Sequence, residues 1–225
     1  MIELSHTTAM SITTVYYGGM TSLRAGILLG CSAIFFTACS STSTEVQKKV
    51  PEKPPEAISG RTAFYKMYSS ARMWASDVQV LRLSSMSMDG VKDEPGKAGA
   101  WEATFVSPSK LKSKTFTYSV VEGGGNLHKG IFSGFDEDYR TPRGQATAWV
   151  IPAFKIDSDE AMATALKKSV DYVKKNPDKP MFYLLEQTVR FPDLAWRVVW
   201  GASVSMSNYS VYVDATTGEY LETVR

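Results

Sequence analysis

Two long stretches of the chain place apolar residues at the spacing of a helix, and short alternating stretches follow each of them. The first helical stretch begins at Phe64, and its apolar face continues at Met67, Tyr68, Ala71, Trp74 and Ala75. Apolar residues three and four positions apart predict an amphipathic helix with one buried face. Thr62, just before this stretch, is a suitable N-cap. An aromatic stripe at this spacing is more typical of a packed core than of a cofactor pocket.

The second helical stretch covers residues 158–175. Asp157 and Glu160 form a capping-box pattern at its start, and Asn176-Pro177 ends it. The predicted buried side consists of Met162, Ala165, Leu166, Ser169, Val170 and Val173. The opposite side carries Lys167, Lys168, Lys174 and Lys175. We interpret these lysines as a solvated face, with a contact to anionic lipid as the alternative.

Alternating apolar and polar residues, separated by turn residues, follow each helix and predict antiparallel strands with one buried face. After the first helix they cover residues 78–86, 101–105, 116–120 and 127–132, with Gly123-Gly124-Gly125 as a turn. After the second helix they cover residues 181–190, 196–200, 209–213 and 219–224. Helices and antiparallel strands in this order predict an α+β fold.

The two halves of this pattern match each other. Ala100-Trp101 corresponds to Ala195-Trp196, and Tyr118-Ser119-Val120 corresponds to Tyr209-Ser210-Val211. The same order of elements in both halves indicates a duplication. We therefore expect two similar units at residues 59–153 and 154–225, each with one helix packed on an antiparallel sheet of about three to four strands.

The chain begins with a pattern that is typical of secretion. Residues 25–36 form an apolar run of twelve residues after Arg24, which is shorter than the ~20 residues that cross a bilayer as a helix. A positive residue, a short apolar core and small residues before a break indicate a signal peptide, predicted here for residues 1–38. Because residues 20–24 form a normal n-region, we expect translation to start at Met20.

The end of this signal, Phe36-Thr37-Ala38-Cys39, resembles the lipobox of bacterial lipoproteins. The resemblance implies cleavage before Cys39, a diacylglycerol on its sulfur, and a further acyl chain such as palmitate on its new amino terminus. Two or more acyl chains hold a protein on a bilayer, whereas one does so only marginally. Ser40 and Ser41 favour sorting to the outer membrane, facing the periplasm. The alternatives are a buried structural cysteine or an ordinary signal peptide that is cut nearby.

Residues 39–58 are rich in Ser, Thr, Pro, Lys and Glu and show no apolar periodicity. Such a segment buries too little apolar area to offset its ordering entropy. Pro51, Pro54 and Pro55 favour an extended spacer. We expect a disordered tether between the membrane and the folded part of the chain.

Composition and charge exclude several classes of protein. Hydrophobic residues make up 44% and charged residues 21% of the 225 positions, which excludes wholesale disorder and a multi-span membrane protein. With 25 basic and 23 acidic residues, the net charge of +2 is too balanced for binding nucleic acid by phosphate neutralisation. Two cysteines and two histidines leave little material for a metal site or a disulfide framework.

The second half, residues 154–225, resembles the PepSY family of small secreted and envelope domains. The residues that carry the resemblance are Ile156-Asp-Ser-Asp-Glu-Ala161, Ala195-Trp-Arg-Val-Val-Trp200 and Tyr209-Ser-Val-Tyr-Val-Asp-Ala-Thr-Thr-Gly-Glu-Tyr-Leu221. In the last of these, Asp214 is suited to cap a turn and Gly218 to adopt a positive φ. The resemblance implies a non-catalytic α+β module with a peptidase-inhibiting or ligand-binding role. The first half has Glu122-Gly-Gly-Gly-Asn126 in place of this signature.

The candidates for catalysis or metal binding have structural explanations. Ser107 and Lys110 match a Ser-x-x-Lys nucleophile motif, but Pro108 and the flanking strands place them on a hairpin loop without the companion motifs. His128, the one histidine after the signal peptide, has no identified nucleophile as a partner. Asp136-Glu137-Asp138 lacks the spacing of a calcium loop and is interpreted as a solvated loop. We therefore expect no catalytic, cofactor-binding or metal site.

The aromatic residues offer one further signal. Those of the predicted sheet are dense, and we expect most of them to pack under the helices: Trp149, Trp196, Trp200, Tyr209 and Tyr212. Any of them that stays exposed would mark a surface for a partner, since aromatic residues dominate interface energetics.

Together these patterns predict a non-catalytic envelope protein, anchored in the membrane by acyl chains on Cys39, that binds or restrains a protein partner. A peptidase is one candidate for that partner. The alternatives are a structural envelope lipoprotein and a weak hydrolase that uses His128 or Ser107.

Overall fold

In the computed structural model, which describes residues 54–92, 94–125, 127–140 and 146–225, three α-helices accompany a large antiparallel sheet. The helices are α1 (Gly60–Trp74), α2 (Ser158–Lys168) and α3 (Val170–Lys175), and a short 3-10 helix covers Ile151–Ala153. The strands are β1 (Ile58–Ser59), β2 (Gln79–Met86), β3 (Lys97–Ala98), β4 (Ala100–Ser107), β5 (Lys112–Ser119), β6 (Gly130–Asp138), β7 (Met181–Glu186), β8 (Ala195–Trp200), β9 (Ser210–Asp214) and β10 (Tyr220–Val224). This is a mixture of helices and antiparallel strands, as predicted.

The N-cap of α1 is Ser59 rather than Thr62, which the sequence had suggested. The Ser59 hydroxyl accepts the Thr62 backbone N–H at 3.5 Å and donates to a carboxylate oxygen of Asp157 at 2.7 Å. Since Asp157 lies 98 residues further along the chain, the group that fixes this helix start is not visible in the local pattern. The predicted apolar face is confirmed, with Phe64 and Ala71 fully buried.

The helix predicted over residues 158–175 is two helices, because the backbone breaks at Ser169. This residue has φ −121° and ψ 13°, and its buried hydroxyl lies 3.3 Å from the Tyr209 hydroxyl, which donates to it. The predicted capping box of Asp157 and Glu160 at the start of α2 is confirmed. Beyond the break, Val170 is 49% exposed although it was predicted to be buried. The four lysines of the predicted solvated face are exposed.

Eight of the strands form one sheet in the order β10-β9-β8-β7-β2-β4-β5-β6, with every neighbouring pair antiparallel. The first half of the chain supplies β2, β4, β5 and β6, and the second half supplies β7 to β10. The sequence predicted a smaller sheet in each half. The structure has a single sheet because β2 pairs with β7, with Ser84 opposite Leu184.

The helices α1 and α2 share one hydrophobic core with the sheet. At the centre of this core, Trp101 on β4 and Trp196 on β8 are fully buried. Each indole N–H finds a backbone carbonyl, that of Ile58 at 3.0 Å for Trp101 and that of Ile156 at 2.9 Å for Trp196. Burial of large aromatic side chains whose polar atoms are also satisfied is a strong source of stability.

The turn predicted between β9 and β10 is confirmed. The Asp214 Oδ1 atom accepts the backbone N–H of Thr216 at 2.7 Å and that of Thr217 at 2.8 Å. Gly218 then has φ +79°, a conformation that glycine adopts without steric cost. This Asx turn directs the last strand back along β9.

Candidate functional site

The predicted signal peptide, the lipidation site Cys39 and the tether as far as residue 53 lie outside the described residues. The described part of the chain contains no helix that is long and apolar enough to cross a membrane. The same part of the chain contains no group of three His, Cys, Asp or Glu residues arranged to hold a metal ion.

Ser107 is the last residue of β4 and is fully buried at the start of the β4–β5 hairpin. Its hydroxyl donates to Asp77 Oδ1 at 2.7 Å, and the Ser109 backbone N–H donates to the other oxygen at 2.8 Å. The Ser107 hydroxyl first, and then Ser109, lower the pKa of Asp77 to about 2. The Lys110 ammonium donates to the backbone carbonyl of Trp74. These residues hold the hairpin, and the lysine is directed to a helix end rather than to the serine.

His128 forms an exposed pair with a carboxylate. Its Nδ1 atom lies 2.7 Å from Glu122 Oε1, and the second Glu122 oxygen accepts the Lys129 backbone N–H at 2.9 Å. These two hydrogen bonds, with that from Lys129 the stronger, hold the pKa of Glu122 below its usual range. The imidazole also lies 5.0 Å from the ring of Phe132. The structure thus places His128 and Ser107 in separate local networks.

The acidic run 136–138 was interpreted as a solvated loop: it is exposed as predicted, but the loop assignment is wrong, because the run forms the end of β6. Asp136 lies 3.0 Å from the Lys114 ammonium and accepts the Trp74 indole N–H at 3.1 Å. Asp138 lies 2.6 Å from the Lys112 ammonium. The lysines lower the pKa of both aspartates. The alternation of charge across β5 and β6 explains why an acidic run continues a strand here.

The aromatic residues that the sequence singled out do not provide a partner surface, because all of them are buried. Their exposed fractions are at most 9%, for Trp149, Trp196, Trp200, Tyr209 and Tyr212. Three described aromatic residues are exposed: Tyr65 at 47%, Tyr220 at 38% and, most of all, Phe135 at 93%. Phe135 lies in β6 three residues beyond the end that the sequence predicted for this strand, so the pattern of alternation missed it.

A β-bulge in β6 explains the exposure of Phe135. Lys114 pairs with Asp136 and Phe116 pairs with Ser133, so two residues of β6 oppose one residue of β5. A bulge of this kind bends a strand and redirects its side chains. Among the described strands, β6 has a neighbour on one side only. Phe135 therefore lies next to a bulge in an edge strand of the sheet.

The end of α1 holds this edge in place. Besides the bond from its indole N–H to Asp136, Trp74 lies under two ammonium groups, that of Lys110 at 5.1 Å and that of Lys114 at 6.0 Å from its rings. Cation–π contacts at these distances are favourable. Ile131, further along the same strand, is 44% exposed. We call the strand β6 with Ile131 and Phe135 the β6 edge.

The described residues thus define an α+β protein with a helix layer and an eight-stranded sheet, with Phe135 on one edge strand more exposed than Tyr220 and Leu221 on the other. No protein-family model matches the chain, and no curated protein matches its sequence. Among solved structures, it is similar to a candidate lipoprotein from Clostridium difficile 630, with 10% sequence identity over 72% of this chain and 91% of that chain, and a TM-score of 0.45. At this level of likeness, the function has to be argued from the residues of the chain itself.

Proposed function

We propose that this chain is a lipid-anchored, non-catalytic protein of the bacterial cell envelope that binds a protein partner through the β6 edge. The observation that carries the proposal is Phe135, which is 93% exposed in a nine-residue strand at the edge of the sheet. The unpaired backbone groups of an edge strand can pair with another chain, and a large aromatic side chain beside them can serve as an anchor for that chain.

The chemistry of an edge strand suggests how the partner is held. Its outward backbone N–H and C=O groups can pair with an extended segment of another chain, which adds a strand to the sheet. Phe135 would fill an apolar pocket next to that segment, and Ile131 would supply a second contact. The acidic groups of Asp136 and Asp138 already face lysines of β5. They discourage indiscriminate pairing with other edges, so the partner is selected by its pocket for Phe135.

The anchor is proposed from the sequence. The lipobox ending in Cys39 supports acylation there, with palmitate among the acyl chains, and Ser40 and Ser41 support the outer membrane, facing the periplasm. The predicted spacer reached residue 58, but Ile58 already belongs to β1, so the spacer would end before that strand and let the folded part stand away from the bilayer. The PepSY resemblance of residues 154–225 suggests a peptidase as the class of partner, which the protein would bind or restrain.

We also propose that the sheet arose by duplication of a unit of one helix and four strands. Trp101 pairs with Ser85 in the first half, and Trp196 pairs with Leu185 in the second half, so Ser85 and Leu185 would be equivalent positions. One residue earlier in each strand, Ser84 would then be equivalent to Leu184, and these two residues face each other across β2 and β7. A pseudo-twofold axis through that pair would relate the two halves, with the β6 edge at one end of the sheet and β10 at the other.

Position-specific photo-crosslinking in living cells tests the β6 edge. The full chain would carry a photoreactive phenylalanine analogue at position 135, and a matched variant would carry it at Met206, which is 73% exposed in the loop between β8 and β9. We expect a discrete protein adduct from position 135 and none of the same mass from position 206. No adduct at position 135, or the same adducts at both positions, would contradict binding through this edge.

Labelling of the same cells with palmitate tests the anchor separately. We expect the label on the wild-type chain and its loss from the Cys39→Ala variant. Wild-type protein without label would overturn the lipid anchor while leaving the result at position 135 intact.

A further inference from the structure

A hollow of about 320 Å³ opens beside α3, at the other end of the sheet from the β6 edge. The side chains that line it come from α3, from the residues before β9 and from the residue after β10, and they are Asp171, Tyr172, Lys175, Asn208, Tyr209 and Arg225. This volume is at the small end of the range of ligand sites in proteins. The hollow therefore has room for one small ring or the end of a peptide.

Two tyrosines form a fixed wall of the hollow. The rings of Tyr172 and Tyr209 are stacked, with centroids 3.9 Å apart and planes 8° from parallel. The Tyr209 hydroxyl donates to Ser169, and the edge of Trp200 packs against Tyr209 at 5.4 Å. The Tyr172 hydroxyl donates to Asn208 Oδ1 at 3.2 Å. A wall held by these contacts does not have to be ordered when a ligand binds, which favours affinity.

The polar groups of the hollow are mainly donors. Lys175 and Arg225 bring two positive charges, and Asp171 brings one negative charge. Because the Asn208 oxygen accepts from Tyr172, the side-chain amide of Asn208 presents its N–H groups as further donors. Neither Lys175 nor Arg225 forms an ion pair with another described residue. The Arg225 guanidinium instead lies 5.8 Å from the centre of the Tyr209 ring.

We propose that this hollow binds an organic carboxylate with a ring-shaped apolar body. The two cations and the Asn208 amide suit the carboxylate, since an arginine pairs with both of its oxygens and charged donors make the strongest hydrogen bonds. The half-buried ring of Tyr172, backed by the buried ring of Tyr209, suits the ring of the ligand, because aromatic faces favour flat apolar groups. Such a carboxylate is present in a small free acid and at the C-terminus of a peptide that ends in an aromatic residue. This site does not depend on the lipid anchor or on the β6 edge.

Titration calorimetry of the full chain with matched probes tests the proposal. The small probe is N-acetylphenylalanine and its control is N-acetylphenylalanine amide, which keeps the ring and lacks the charge. The peptide arm uses acetyl-Ala-Ala-Phe as the acid and as the amide. We expect each acid to bind at least about tenfold more tightly than its amide. A tighter acid in the peptide arm assigns the site to peptide ends, and equal affinities assign it to small acids.

Charge variants of α3 and the last residue sharpen this test. Lys175→Gln and Arg225→Gln should each weaken binding of the acid about tenfold, and Asp171→Asn should strengthen it about threefold by removing a like charge. Lys174→Gln removes the same charge from an exposed side chain of α3 that does not line the hollow, so it should change nothing. Equal affinity for acid and amide, no saturable binding up to about 10 mM, or equal loss in Lys174→Gln and Lys175→Gln would overturn the proposal.

Discussion

The indole rings of Trp101 and Trp196 meet edge to face in the centre of the core, with centroids 6.3 Å apart and planes 72° from parallel. Each ring comes from one half of the chain, and each donates its N–H to the carbonyl of an isoleucine next to the start of a helix. The pair therefore joins the two helix starts to the middle of the sheet. Its geometry agrees with the proposed duplication, in which the two tryptophans occupy equivalent places.

The first prediction concerns the N–H group of this pair. Trp196→Phe keeps much of the apolar surface but removes the donor to the part-buried Ile156 carbonyl and leaves a small gap in the core. We expect the free energy of unfolding to fall by about 1–3 kcal/mol, from the lost hydrogen bond and the unfilled volume together. Urea unfolding followed by circular dichroism measures it. Trp74→Phe is the matched control, because the Trp74 indole binds at the surface, and it should cost about 0.5 kcal/mol or less.

The second prediction uses two glycines with the same backbone conformation and different surroundings. Gly96 has φ +77°, and a Cβ atom there would lie 2.2 Å from the Asp159 Cα at the start of α2. Gly90 has φ +78° with nothing within 4 Å of such an atom. Gly90→Ala should cost about 1 kcal/mol, which is the strain of a positive φ alone. Gly96→Ala should cost at least about 2 kcal/mol more, because the backbone of α2 must move away.

Equal losses of unfolding free energy in these two variants would contradict this prediction, because they would show that α2 moves away from residue 96 at little cost. The close approach also has a hydrogen-bond component, since Gly96 donates its N–H to the Tyr183 hydroxyl at 2.8 Å and its carbonyl accepts from Ser158. The contact thus ties α2 to the residue that precedes β3.

Local patterns in the sequence predicted the elements that depend on neighbours in the chain. The capping box of Asp157 and Glu160 and the turn at Asp214 are examples, because the partners of each lie within a few residues. The start of α1 was missed since its cap, Ser59, is held by Asp157 from the other half. A partner so far along the chain leaves no trace in hydrophobic periodicity.

Long-range pairing also explains what was missed in the sheet and at the candidate site. Nothing in the alternation of β2 or β7 specifies that they pair with each other, and this pairing turns the predicted smaller sheets into one. Likewise, the acidic run 136–138 departs from an apolar strand pattern, and only the lysines of β5 opposite it make a strand favourable. Phe135 was therefore not recognised as the exposed residue of an edge.

The third prediction concerns the stability of the fold at low pH. The pKa of Asp77 is lowered to about 2 from its usual 3.8, chiefly by the hydrogen bond from the Ser107 hydroxyl. A depressed pKa means that the folded state favours the charged carboxylate, so this contribution is fully present above about pH 4 and is lost as the pH falls towards about 2. In Asp77→Asn, the free energy of unfolding should be lower at pH 7 and the difference from wild type should vanish near pH 2.

Titration of the Asp77 carboxyl by nuclear magnetic resonance gives an independent check. Ser107→Ala should move its pKa upward, because the donor that lowers it most is gone while the Ser109 backbone N–H remains. An unchanged pKa in this variant would show that Ser107 does not stabilise the carboxylate.

The fourth prediction concerns a carboxyl group, that of Glu186, whose charge destabilises the folded state instead of stabilising it. Glu186 on β7 pairs with Arg82 on β2, and burial raises its pKa more strongly than Arg82 and Arg197 lower it. A raised pKa in a carboxyl means that folding favours the protonated form, so this group costs stability once the pH rises above its ordinary value of 4.5. Glu186→Gln keeps the shape of the side chain and removes the charge. The variant should therefore unfold at a higher urea concentration than wild type at pH 7, and the two should converge as the pH falls below about 4. If the variant is instead less stable at pH 7, the attraction of the two arginines outweighs burial, and Glu186 is a stabilising charge on this face of the sheet.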